Sequence, residues 1–296
     1  MKRTQLAWLI VLLTGNAAAL HAQDEDLLQL VPDAAKKEYV TSAFKSSRVI
    51  NGHSMEFLGK GVLDVRILHR FGQVNNGVKE FFGLDQASMR MGFDYGVLTN
   101  LTVGVGRTST NKELDAFVKF RPVRQSKGPG SFPFSIVWVS GITLFTGDFA
   151  DEERKNHFSS RIGYYHEVII GRKFSEIFSL QVSPLLVHRN LVAAAAEEND
   201  TWALGLGGRV RLTKRVAFVA DYHPVLAGRR TGTKDPLSLG FDIETGGHVF
   251  QLHFSNSAGM NEKEFITNTT GDFWKGDIRF GFNLSRVFTL KRKNPQ

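Results

Sequence analysis

Residues 201–213 read TWALGLGGRVRLT, and taken alternately their side chains fall into two rows. Trp202, Leu204, Leu206, Val210 and Leu212 make one row; Thr201, Gly205, Gly207, Arg209 and Arg211 make the other. Period two belongs to a β-strand, whose successive side chains point to opposite faces. Residues 276–288 repeat the pattern, with Ile278, Phe280, Phe282, Leu284 and Phe288 set against Asp277, Arg279, Gly281, Asn283 and Ser285. An apolar row beside a charged one calls for an apolar medium on one face and polar partners on the other.

The alternation recurs in about a dozen segments of roughly nine to fifteen residues, the span a tilted strand needs to cross a bilayer. It places strands near 55–68, 87–97, 101–109, 112–121, 134–146 and 159–174, then 178–191, 201–213, 216–226, 237–245, 248–256 and 276–288. The expected fold is all-β, an antiparallel up-and-down transmembrane β-barrel of about 12 strands over residues 55–288. Connections support it, since such barrels alternate tight turns at one end with long loops at the other. Residues 98–100, 175–177, 214–215 and 246–247 are short; 73–86, 147–158, 192–200, 227–236 and 257–275 are long. Asn111 falls in a short link where a long one is due, and 123–133 in a long one where a turn is due. A Gly246-Gly247 hairpin sets Asp242 opposite Gln251. A three-residue turn at Lys214 sets Arg209 opposite Asp221.

Lys2 and Arg3, the apolar run 6–13 and Ala17, Ala18, Ala19 and Ala22 follow the charged, apolar, small order of a secretory signal peptide, 1–22, cleaved near Ala22. Its apolar run is shorter than the roughly twenty residues of a spanning helix, and no other run is longer, so membrane residence would be by strands. Residues 23–54 form a periplasmic lead-in or plug, with a short helix over 27–35 and an extended stretch over 39–50; 289–296 form a short basic tail. Cysteine is absent, which excludes a disulfide framework and a lipidated amino-terminal cysteine. Net charge is +8, or +6 without Lys2 and Arg3. The basic residues are dispersed and no nucleic-acid motif accompanies them, so acidic outer-membrane lipid is the expected partner, with a small polar solute beside it and no nucleic acid.

Alternation alone does not say which row faces lipid, because a soluble barrel turned inside out shows the same pattern. Strand number and one-sided loops favour the membrane arrangement. The apolar rows then face outward, with Trp138, Trp202 and Tyr222 as interfacial girdle residues. The inward rows hold Lys60, Asp64, Arg66, Arg90, Asp94, Asp115, Lys119, Arg161, Glu167, Lys173 and Arg189. They continue with Arg209, Arg211, Asp221, His223, Asp242, Glu244, Gln251, His253, Asp277 and Arg279. Mixed signs make either an ion-pair mesh or an eyelet for a polar solute, and the absence of like-sign rings favours the mesh. His166 departs from its outward row, which a bulge at Tyr164-Tyr165 or a rim position would explain.

His253 and Ser255 stand two apart on one strand, in the order His-x-Ser-Asn that resembles outer-membrane phospholipases and lipid A deacylases. A third group from Glu262, Glu264, Asn268 or Asp272 would have to orient the imidazole. The pair lies on the polar row, where those enzymes use the lipid-facing one, so a lipid esterase is the alternative reading. His223, Asp221, Asp242 and His253 share the inward rows without metal-ligand spacing, and no cofactor or metal is expected. Gly104, Gly106 and Arg107 precede no helix and read as strand residues.

The stretches 49–54 (VINGHS), 183–190 (SPLLVHRN), 247–254 (GHVFQLHF) and 277–288 (DIRFGFNLSRVF) resemble a family of Gram-negative outer-membrane β-barrel proteins classed as a domain of unknown function. The resemblance covers nearly all of the chain after the signal peptide. It implies fold and location and carries over no catalytic residue.

Overall fold

The computed structural model describes residues 36–149 and 156–290. The expected signal peptide and the 27–35 helix lie outside them. The described residues divide into two units: 39–126 with 132–149 and 156–290, which hold the barrel, and a small unit of 36–38 with Lys127–Ser131.

Among the described residues twelve antiparallel staves close on themselves. They are β1 (Val62–Gln73), β2 (Ala87–Leu98), β3 (Leu101–Thr108), β4 (Glu113–Val123), β5 (Ser135–Phe145) and β6 (Ile162–Lys173). The circuit continues through β7 (Phe178–Arg189), β8 (Asp200–Arg211), β9 (Val216–Tyr222, resuming as Val225–Ala227), β10 (Leu237–Thr245), β11 (His248–Ser255) and β12 (Arg279–Thr289). Each pairs with its sequence neighbour, and β12 pairs with β1 to close the seam. Closure satisfies every sheet edge, which an apolar medium requires.

Alternation sets the burial. On β8, Thr201, Ala203, Gly205, Gly207 and Arg209 are buried, while Trp202 and Leu206 face outward and are exposed. Gly246 and Gly247 take φ of 52° and 111°, the left-handed values that a two-residue hairpin demands, and Asp242 stands opposite Gln251. Pro224 has no N–H to give the ladder. The ninth stave breaks there, with a register shift at Trp202/Ala203 on β8, and Pro224 serves only as acceptor, from Leu204 N–H at 3.0 Å.

Several expectations are corrected. The first strand begins at Val62, not 55: Met55 is buried in the interior, and Gly61, at φ 78°, turns the chain into the wall. Lys60 therefore sits exposed in that turn. Arg209 faces Val219, and Asp221 faces Gly207. The Thr213 hydroxyl accepts from the Arg215 and Val216 N–H groups, so the turn centres on Lys214 and slides the ladder by two residues. His166 needs no bulge: it pairs in register with Ser140 on the outward face, ring nitrogen to hydroxyl at 3.0 Å. Arg161 ends a 3-10 turn ahead of β6, and Asp277 precedes β12 after Gly276 takes φ 84°.

The inward rows are also not uniformly polar. From β4 to β8 they include Phe117, Val137, Val139, Tyr165, Ile169, Leu185, Val187 and Ala203, all buried in one apolar cluster. These positions are core positions because the interior is filled by the chain itself.

Candidate functional site

The filling has two parts. Residues 40–58 form a finger with both legs at the tight-turn end: Val40 N–H donates to Gln125, and Gly61 N–H to Gly96. Its tip is a small hairpin, with Arg48 bridged to His53, Val49 N–H on Gly52 O at 2.9 Å and Ser54 N–H on Ser47 O at 3.0 Å. The extended stretch expected over 39–50 instead bends, with Ser42 at φ 57°. From the loop end comes α1 (Glu262–Thr267), capped by Asn261, whose side chain accepts from Glu264 N–H. Phe265 and Ile266 of α1 join Ala43, Phe44, Val49 and Met55 of the finger in the apolar cluster.

Opposite that cluster the wall is polar and satisfies the finger's backbone. Asp221 Oδ2 accepts from the N–H groups of Ile50, Asn51 and Gly52 at 3.3, 2.7 and 3.0 Å. Asn283 and Gln251 amides donate to Ile50 O and Val49 O, and Gln181 both donates to His53 O and accepts from Met55 N–H. Arg70 reaches Asn51 Oδ1 at 2.7 Å, Lys119 reaches Ser47 O and Glu56 O, and Arg209 reaches Ala43 O. An irregular segment buried inside a barrel survives only when its backbone groups are paired in this way. Gly52 is required at the tip, since a Cβ there would stand 2.8 Å from His223 Nε2.

The finger also meets the loop-end helix. Arg48 pairs with Glu262, and His53 Nε2 lies 3.3 Å from the same carboxylate and 3.5 Å from the Tyr165 hydroxyl. Burial, together with the Arg48 cation beside it, holds the His53 imidazole well below its usual range.

Of the residues foreseen inward, Asp64, Arg66, Arg90, Asp94, Asp115, Glu167, Asp242 and Gln251 are buried in the interior. Six of the eight are tied in pairs: Arg66 to Asp64, Arg90 to Asp115 through two guanidinium nitrogens, and Gln251 to Asp242. His223 is buried with its ring against Phe265. Glu244 pairs with Lys45 of the finger. Arg211 is half-exposed near Glu176, and Arg279 donates to Phe71 O at 3.2 Å. Sequence reasoning gave no site role to Arg48, His53 or Arg70, which lie outside the alternating stretches or, for Arg70, past the expected strand end, and it set Glu262 beside His253 when its partners are Arg48 and His53.

His253 and Ser255 are both buried on the inner face of β11, and no hydrogen bond joins them. Neither ring nitrogen of His253 has a partner, while the Ser255 hydroxyl accepts from Ser238 at 2.8 Å and from Ser257 N–H at 3.1 Å. Glu262 and Glu264, candidates to orient the imidazole, are engaged with Arg48 and with Asn111 and Asn268. Asp272 accepts from Trp274 N–H. Among the described residues, no three His, Cys, Asp or Glu side chains are grouped to hold a metal ion.

Two hollows remain at opposite ends. That at the loop end, about 220 Å³, is lined by Arg161, Arg189, Arg230, Lys263 and Phe149 among others. That at the turn end, about 290 Å³, is lined by Phe44, Ser46, Phe57, Asp64 and Ser285 among others. Arg48, Asn51, His53, Tyr165 and Phe265, all buried, occupy the interior.

A closed strand circuit with an apolar outer wall and an interior occupied by the chain itself, part polar and part apolar, defines a membrane-bound β-barrel. The chain belongs to the DUF5777 family, described as a membrane bound beta barrel domain, which matches residues 44–288 and so takes in most of the finger with all twelve staves. Among solved structures it is similar to the NanC porin, at 7% identity over 77% of this chain and 98% of that one, TM-score 0.49. It is also similar to the COG4313 outer membrane channel from Pseudomonas putida F1, at 13% identity over 79% and 98%, TM-score 0.43. LpxR from Salmonella typhimurium aligns at 11% identity over 77% and 99%, TM-score 0.35. No curated protein matches the sequence.

Proposed function

We propose that this protein is an outer-membrane barrel, exported by a cleaved signal peptide, that its own finger holds shut, and that it serves as a gated conduit for a small polar solute. The carrying observation is the seating of three consecutive backbone N–H groups, Ile50 to Gly52, on the single Asp221 carboxylate. A charged acceptor spent on backbone that has no regular partner marks a docked element, because each such bond is stronger than a neutral one and fixes the tip in one place. Hollows at both mouths with a filled layer between them support a closed state. Positioning the long loops outside and the tight turns in the periplasm follows the usual arrangement of these barrels.

Planar-bilayer recording tests the reading. Wild-type protein is expected to be silent, and Asp221→Ala or Arg48→Ala to give discrete openings. A wild type that conducts steadily, or variants that insert and remain silent, would overturn it.

A further inference from the structure

Arg107 is the odd residue of the outer wall. It lies on the outward row of β3, next to Thr108, where the strand ends at the loop side. Across the ladder it faces Met91 on β2 and Leu114 on β4. Among the described residues its guanidinium has no ion pair, hydrogen bond or ring contact. The other outward arginines differ: Arg172 and Arg286 sit near the turn end over the Phe174 and Phe288 rings.

Around Arg107 the wall is hollowed into an apolar groove of about 400 Å³ lined by Met89, Met91, Phe93, Val105 and Leu114. The hollow has a simple cause: between Val105 and Leu114 the next outward position of β4 is Ala116, which pairs with Val105 and leaves the space above it open. The apolar surface extends past the strand into the loop before β2, where Val78, Phe81, Phe82 and Leu84 are exposed and Phe81 and Phe82 are held at φ 45° and 52°. Both phenylalanines thus hold left-handed backbone, which L residues rarely adopt, in the turn that presents their rings outward.

We propose that this groove is a binding site for one anionic lipid of the outer leaflet, with an acyl chain along Met91, Phe93 and Val105 and the headgroup phosphate on Arg107. A guanidinium at the rim of an apolar groove matches such a molecule in both parts: its planar donor fork suits phosphate oxygens, and its stem lies along apolar surface. A zwitterionic lipid offers the same phosphate with its charge already compensated, so the site selects for net negative charge. The inference rests on the reading that the outer wall faces lipid.

The test uses single-tryptophan forms of the mature chain in bilayers of brominated phosphatidylglycerol or brominated phosphatidylcholine. One form carries Phe93→Trp with the other tryptophans changed to phenylalanine; the other retains only Trp202. Trp202 is expected to be quenched equally by both lipids. The groove tryptophan is expected to favour phosphatidylglycerol by about fivefold, the ratio one basic residue gives at a membrane surface. Arg107→Gln is expected to abolish that preference and Arg107→Lys to retain most of it. Equal quenching in the groove, or a preference that survives Arg107→Gln, would overturn the site while leaving the barrel in its membrane. Quenching of Trp202 with none in the groove would show protein covering it and likewise overturn the site. Failure of both tryptophans to quench would overturn the membrane reading itself.

Discussion

Arg48, on the finger tip, and Glu262, the first residue of α1, form an ion pair across 214 positions of sequence with side chains 3% and 1% exposed. It joins the element that enters from the turn end to the element that descends from the loop end. Removing one partner strands a buried charge, which costs on the order of 3 to 5 kcal/mol, whereas replacing both with apolar groups of similar size is far less costly. Arg48→Met and Glu262→Leu are each expected to destabilise strongly, and the double variant to recover most of the loss. A double-mutant cycle from urea unfolding in detergent measures the coupling, and strict additivity would refute it.

The finger and α1 carry opposed pH dependences. His53, a base held low, is neutral in the fold, while the unfolded chain takes up its proton near pH 6.5, so its contribution is full above that value and is lost as pH falls below it. Glu264 is pushed up to about 7 by burial and by the neighbouring Glu113. Its contribution is full below the unfolded value of about 4.3 and is lost as pH rises toward 7. His53→Gln is therefore expected to remove an acid-side loss, and Glu264→Gln to remove a decline between those two values. Unfolding midpoints against pH check both signs, and profiles superimposable on wild type would contradict them.

Gly141 on β5 stands opposite Tyr165 on β6, and a Cβ there would fall 2.2 Å from the tyrosine ring. Gly141→Ala is expected to drive the ring toward His53 at a cost of about 1 to 3 kcal/mol. Combining it with Tyr165→Leu should restore much of that loss. If the alanine variant unfolds at the wild-type denaturant concentration, the ring is not held as described.

For Ser255 the expected consequence is structural. Ser255→Ala removes the bond from Ser238 and the acceptor for Ser257 N–H, at about 1 to 3 kcal/mol. Any ester hydrolysis by the purified barrel should be the same in wild type, Ser255→Ala and His253→Ala. A selective loss in either variant would return the pair to catalytic standing.

The wall was readable because lipid on one side and polar partners on the other impose period two on every stave, as at Trp202 to Leu206. What failed to read has local causes. The Thr213 hydroxyl sets a turn whose register, two residues away from the expected one, keeps every side chain on its proper face, so alternation could not detect the error at Arg209. Pro224 was visible, but its effect on β9 depends on the ladder of β8. The finger has no period at all, since its backbone is paired by side chains from distant staves such as Asp221 and Asn283. Gly52 gives a hint in retrospect, yet nothing near it in sequence points to His223. The interior's apolar half was missed for the same reason: Val137, Val139 and Ile169 read as inward residues only once there is something inside to touch.

The finger's two legs, at Val40 and Gly61, leave by the same mouth. The barrel is thus corked, not threaded: no chain end has to travel through the lumen for the cork to come out or go back. Withdrawal breaks side-chain bonds along the finger from Ala43 to Glu56, the Arg48–Glu262 pair among them, with its apolar contacts, and leaves the stave circuit whole. A steady pull on Val40 toward the tight-turn mouth would draw the finger out by the way both legs leave, so opening is available as a mechanical, repeatable event rather than a refolding.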